Sequence, residues 1–114
     1  MSKFYTFGQN NSGGSFDFDK KSGITHWVII EADSVEHAND RATDAGIYFD
    51  GGYDGRDCSC CGDRWYPTRY SKGTNTPTIY EMPIKEYFKD NPHLWMEKGF
   101  EICIHYKDGC LEWH

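Results

Sequence analysis

Trp27-Val28-Ile29-Ile30 is the stretch that most narrows what this chain can fold into, because four consecutive apolar residues leave a strand no face to turn to water. Such a strand belongs in the interior of a sheet. Asp33 and Glu36 follow it in the capping-box pattern, and Val35, Ala38, Ala42 and Ala45 recur at helical spacing as one narrow face of small residues. The spacing predicts a helix over residues 34–45, packed closely on that sheet. Gly46 is placed for the left-handed cap, and Ile47-Tyr48-Phe49 reads as the next strand, which would complete a β-α-β unit with a right-handed crossover and parallel strands. His26 and His37 have no partner at ligand spacing and read as a surface strand residue and a solvated helix residue.

Around this unit the chain offers shorter elements. Phe4, Tyr5 and Phe7 predict an aromatic strand, residues 8–15 a turn-rich loop, and Phe16 and Phe18, alternating with Asp17 and Asp19, a half-buried edge strand. Pro83 suits the first turn of a short helix with Ile84, Tyr87 and Phe88 on one face, and Asp90-Asn91-Pro92 ends it. Asp108-Gly109 suits a two-residue type I′ turn. Pairing outward from it sets Tyr106 opposite Leu111 and Ile104 opposite Trp113, so that Phe100, Ile102, Ile104, Tyr106, Leu111 and Trp113 share a core face.

A chain of 114 residues has room for one core, so residues 1–114 read as a single domain. Only two leucines occur, Leu94 and Leu111, and aromatic residues at 17% must supply much of the buried area. The class expected is α+β: a mixed, mainly antiparallel sheet of about five strands, one main helix on a face, and a loop-rich lobe that holds the cysteines.

Three of the five cysteines lie in Asp57-Cys58-Ser59-Cys60-Cys61-Gly62-Asp63-Arg64-Trp65. Cys58-x-x-Cys61-Gly62 has the outline of a zinc knuckle, two thiolates on a tight turn with a glycine that lets amides approach the sulfurs. On the predicted C-terminal strand Cys103 and His105 point the same way with one residue between them. Together Cys58, Cys61, Cys103 and His105 would close a tetrahedral zinc site. Four protein ligands leave no open coordination position, so the zinc would be structural. The plainer alternative is that Cys103 and Cys110 are small half-buried hydrophobes and His105 is solvated. A vicinal disulfide between Cys60 and Cys61 is a further alternative. The acidic, glycine-rich residues 50–57 do not make an EF-hand loop, since Gly52 and Cys61 stand where carboxylates are needed.

Arg64, Trp65, Tyr66 and Arg69 open the one patch in which basic and aromatic residues interleave, the composition of a surface that stacks bases and holds phosphates. The formal net charge of −6 opposes that reading, and a hairpin with core rings and solvated charges is favoured over it. Residues 8–15 lack the lysine and the spacing of a P-loop. No apolar run reaches membrane-spanning length, and the first residues lead into no signal-peptide pattern, so a soluble intracellular protein is expected. An odd number of cysteines then favours free thiols or metal ligands over a disulfide framework.

The stretches Phe7-Gly8-Gln9-Asn10-Asn11-Ser12-Gly13-Gly14-Ser15-Phe16, Ile24-Thr25-His26, Ile29-Ile30-Glu31-Ala32, Gly46-Ile47-Tyr48-Phe49-Asp50-Gly51 and Cys58-Ser59-Cys60-Cys61-Gly62-Asp63-Arg64-Trp65 together resemble a family of small, uncharacterised proteins of tailed bacteriophages. The resemblance covers nearly the whole chain and brings no catalytic residues with it. It implies the cytoplasm of an infected bacterium, a reducing compartment.

These strands lead to one expected function and two alternatives. The first is a non-catalytic accessory protein that binds a host or phage macromolecule, for host takeover or defence evasion; its acidic surface suits a basic partner. One alternative is a small-ligand or nucleotide binder using residues 8–15 and the patch from Arg64 to Tyr70. The other is an enzyme with Cys60 or Cys61 as nucleophile, His105 as base and Asp63 or Arg64 in support.

Overall fold

The computed structural model describes residues 2–10, 18–19, 21–49, 64–68, 72–79, 82–90 and 102–114. The apolar run becomes one of the two inner strands of a four-stranded sheet. It lies in β2 (Trp27–Ala32), flanked by β1 (Lys3–Gly8) and by β5 (Ile102–His105), with β6 (Leu111–Trp113) outside β5 in the order β1-β2-β5-β6. Val28, Ile29 and Ile30 are all without solvent exposure, as a strand covered on both faces must be. β1 pairs with β2 antiparallel, with Tyr5 opposite Ile30 and Phe7 opposite Val28. β2 and β5 run parallel, which sets Cys103 beside Val28 and His105 beside Ile30.

The helix α1 (Val35–Ala45) packs on the face that carries Tyr5, Phe7, Val28 and Ile30, and its Ala38 and Ala42 are fully buried. Small side chains let the helix axis sit close to the sheet. The cap differs from the sequence expectation. Ser34, not Asp33, is the N-cap, and its Oγ accepts from the His37 amide at 3.1 Å. At the other end Gly46 takes the left-handed cap as expected, with Gly46 N–H donating to Thr43 O at 3.1 Å and Ile47 N–H to Ala42 O at 3.0 Å.

That Schellman pairing explains a second difference. Ile47, Tyr48 and Phe49 do not form a strand. Ile47 folds back onto the core beside Ala42, the apolar contact that accompanies such a cap. The parallel partner of β2 is therefore β5, much later in the chain. Among the described residues the main sheet has four strands. A separate pair, β3 (Thr78–Ile79) and β4 (Met82–Pro83), leads into α2 (Ile84–Asp90). Ile79 and Tyr87 pack with Ile29, Ile102 and Ile104 on the sheet face opposite α1. Of the expected edge strand at residues 16–19, Phe18 is exposed and Asp19 bridges Ile24; Phe16 lies outside the described residues.

The terminal hairpin corrects the expected register. Tyr106 N–H donates to Cys110 O and Gly109 N–H to Tyr106 O, both at 2.9 Å, so the loop has three residues, Lys107, Asp108 and Gly109. Gly109 stands at φ 95°, the left-handed residue of a bulged hairpin rather than half of a two-residue turn. The extra residue moves the pairing by one. Cys103 faces Trp113, Ile104 faces Glu112 and His105 faces Leu111. Leu111 and Trp113 consequently share the face of Cys103 and His105, not that of Ile102 and Ile104.

Candidate functional site

The first candidate site starts from β5. Because β5 is parallel to β2 in the register above, its alternate residues Cys103 and His105 project to the α1 side, as the sequence predicts. Both are buried, so His105 is not the solvated residue of the plainer alternative. Above them runs the turn from Asp19 to Ile24, closed by two backbone hydrogen bonds of 2.9 Å between those residues. Gly23 sits in it at φ 73°. A Cβ there would lie 2.7 Å from His105 Nε2 and 3.0 Å from Cys103 Sγ, so only glycine fits the conformation and the space.

The chemistry of the pair follows from this enclosure. His105 Nε2 is 2.8 Å from the Gly23 carbonyl oxygen. A carbonyl can only accept, so Nε2 carries the proton and Nδ1 is the acceptor of a neutral ring. Burial holds the His105 pKa below its usual 6.5, helped by the Arg41 charge and opposed by the Gly23 carbonyl. Burial also pushes the Cys103 thiol up to about 12, with the Glu112 backbone acting weakly against it. Cys103 is a protonated thiol at neutral pH. That is a packed side chain, not an activated nucleophile.

The other two expected zinc ligands, Cys58 and Cys61, lie outside the described residues, as do Cys60 and Asp63. Among the described residues no three His, Cys, Asp or Glu side chains group at metal-binding distance. On the part that is described, His105 has only Nδ1 left for an ion, and Cys103 would first have to lose its proton.

The basic and aromatic patch divides. Arg64 is 7% exposed and Trp65 is 1% exposed, whereas Tyr66 is 56% exposed; Arg69 is outside the described residues. Trp65 joins the core under α1. Arg64 donates from Nη1 to Gln9 Oε1 at 3.0 Å and from Nε to Tyr48 OH at 3.2 Å, and its carbonyl accepts from the Asn10 amide at 2.7 Å. Its guanidinium fastens the end of β1 to the segment after α1. A base-stacking surface that needs Arg64 and Trp65 at the exterior is not what they build.

Two polar devices had no place in the sequence expectations. Arg41 of α1 reaches over the carboxyl ends of the two parallel strands, donating from Nη1 to Glu31 O and from Nη2 to Tyr106 O at 2.9 Å. Beside it the Glu31 carboxylate accepts from the Lys107 amide at 2.9 Å and from Ser2 Oγ at 2.8 Å, and those bonds hold its pKa below the usual carboxylate range. Asp33 meets Lys107 Nζ at 2.6 Å. This knot ties the hairpin loop to the helix. The only sequence signal for it was Arg41 itself, a charge one residue from the buried Ala42.

The second candidate is the outer edge of β6. Ile102 and His114 exchange both backbone hydrogen bonds, at 3.0 and 2.8 Å, so in an antiparallel ladder the pairs at Ile104 and Glu112 do the same. Leu111 and Trp113 then direct their N–H and C=O groups away from β5. Among the described residues nothing receives them. The opposite edge differs, since Phe4 of β1 exchanges backbone bonds of 2.8 and 2.9 Å with Thr74. Trp113 is 37% exposed, and Glu112, on the other face, is exposed beside Tyr106 OH and His114 Nε2.

Among the described residues no helix is long and apolar enough to cross a membrane. A family model described as a domain of unknown function (DUF7296) matches residues 2–113. No curated protein and no solved structure matches the chain.

Proposed function

The chain belongs to the DUF7296 family, and from that premise we propose that it is a small, non-catalytic accessory protein of a bacteriophage that binds a host or phage protein in the infected cell's cytoplasm. The observation that carries this reading is where the reactive side chains go. His105 and Arg64, which a thiol enzyme would draw on as base and as charge support, are buried and bonded to Gly23, Gln9 and Tyr48. They hold the fold. The net charge of −6 supports a basic partner, whose encounter with this chain it would speed.

Within the same reading zinc would be structural, and the described residues would offer it Cys103 Sγ and His105 Nδ1. Zinc can displace a thiol proton even where burial resists its loss. Native mass spectrometry of the purified protein reads this directly, and a chain that stays metal-free in excess zinc removes the ion from the proposal.

The binding reading is tested by tagging the chain, expressing it during infection and quantifying what co-purifies. A protein partner is expected at near-stoichiometric yield in low salt, falling about tenfold or more as screening shortens the reach of the charges. No protein above background at any salt concentration would sink the reading.

A further inference from the structure

We propose that the partner adds a strand to the outer edge of β6, and that this strand alternates basic and apolar residues. The inference rests on the binding reading and names the surface it uses. Leu111 and Trp113 supply two outward N–H donors and two outward C=O acceptors in extended conformation, the template on which strand addition works. Side chains give such an edge its selectivity. Leu111 and Trp113 stand on the α1 face, and Trp113 is 37% exposed, so apolar residues of the partner would cover them. Glu112 lies on the other face, where a lysine or arginine directly opposite would meet a carboxylate.

The same charge argues against a second copy of this chain as the occupant. Two β6 strands paired antiparallel about Glu112 would set two carboxylates opposite one another, a destabilising arrangement. The protein's overall charge of −6 adds to the repulsion. A basic strand has neither difficulty. The opposite edge of the sheet is not an equivalent site, since Thr74 already pairs with Phe4 there and Thr6 Oγ1 donates to Thr78 O at 2.6 Å.

The probe is a synthetic peptide of about seven residues that alternates valine and lysine, matched to a typical strand length. Its control is the block-ordered isomer of identical composition and charge. The full-length chain is expected to bind the alternating peptide at least about tenfold more tightly, because only alternation sets apolar residues over Leu111 and Trp113 with lysine opposite Glu112. Hydrogen exchange should slow at the Leu111 and Trp113 amides and nowhere on β1. Leu111→Pro deletes a donor that β5 does not use, so the sheet keeps its own bonds while binding falls. Should that variant not fold, Glu112→Lys gives an independent reading: it should reject the lysine peptide and accept the valine–glutamate one.

Equal binding of the two isomers, or no slowing at Leu111 and Trp113, would overturn the proposal. So would slow exchange of those two amides in the free protein, independent of concentration if the chain covers its own edge and concentration-dependent if a second copy does. If Leu111→Pro folds and still captures the partner from infected cells, the edge assignment fails and the binding function stands. If no partner is captured while the alternating peptide binds as expected, the edge stands and the proposed function fails.

Discussion

β5 and β6 are neighbours joined by residues 106–110, the middle three of which form the loop, and their sequences alternate in the same way, Ile-Cys-Ile-His against Leu-Glu-Trp. Yet every residue of β5 is buried, and none of β6 is. The difference is position. β5 has a strand on each side and a packed layer on each face, so even its polar pair must be neutral, bonded and enclosed. β6 has one neighbour among the described strands, and its polar residues stay at the surface. Alternation thus reports which residues share a face, and says nothing of whether that face meets water.

The sharpest way to break the comparison is to remove volume from β5. Ile104 is almost wholly buried among Ile29, Ile79, Tyr87 and Ile102. Ile104→Ala is expected to lower the unfolding free energy in urea by about 2–5 kcal/mol, the lost transfer energy plus the cavity left behind. A loss under about 1 kcal/mol would mean that α2 and β3 do not cover this face tightly.

Gly23→Ala tests the cover over the other face. A non-glycine residue in the left-handed region costs about 1–2 kcal/mol. The new methyl would also press on His105 Nε2 and Cys103 Sγ and strain the bond to the Gly23 carbonyl, for a similar further loss. A loss of roughly 2–4 kcal/mol in the same urea titration is expected. A neutral outcome would place the turn away from β5.

These two faces also show what was legible in the sequence. The buried run of β2, the small-residue face of α1, Gly46 as its cap and the shared facing of Cys103 and His105 could all be read, because each depends on local periodicity. What could not be read depends on choices made elsewhere. Asp33 and Ser34 are both good caps, and their order was decided by where β2 ends. Ile47 reads as strand in the sequence, yet an apolar residue after a helix serves equally to seal a Schellman cap. Asp108-Gly109 fits a two-residue turn or a bulged three-residue one, and that single residue moved Leu111 and Trp113 to the opposite face. Arg64 reads as a solvated charge in the sequence because no local pattern announces a guanidinium bonded to Gln9, 55 positions earlier in the chain.

A smaller effect separates the two strands by pH. Burial lowers the His105 pKa in the folded state, so the fold favours the neutral ring. The resulting stability is fully present above the ordinary value of 6.5 and is lost as pH falls through the folded value. Glu31, Asp33 and Asp108 also have lowered pKa values, but their contribution is lost only below the ordinary carboxylate values of 4.5 for Glu31 and 3.8 for the two aspartates. His105→Gln keeps an N–H for Gly23 and has no charge to gain. Relative to this variant, the unaltered chain should lose stability between neutrality and about pH 5. The other histidines are common to both proteins and cancel in the difference. Parallel decline in the two would show that His105 is not held neutral.

The smallest change in stability is expected at Trp113, the largest side chain of β6. Its ring lies on the same face as Cys103 but is partly solvated, and its backbone bonds outward, so truncation opens no closed cavity. Trp113→Ala should cost about 1 kcal/mol or less in urea, the range of surface positions. It should nevertheless weaken the alternating peptide, because the apolar residues of the added strand lose the ring they would cover. Stability and binding are then separated in a single variant. A stability loss as large as that of Ile104→Ala would show that another part of the chain packs over β6, and the contrast between the two strands would disappear with it.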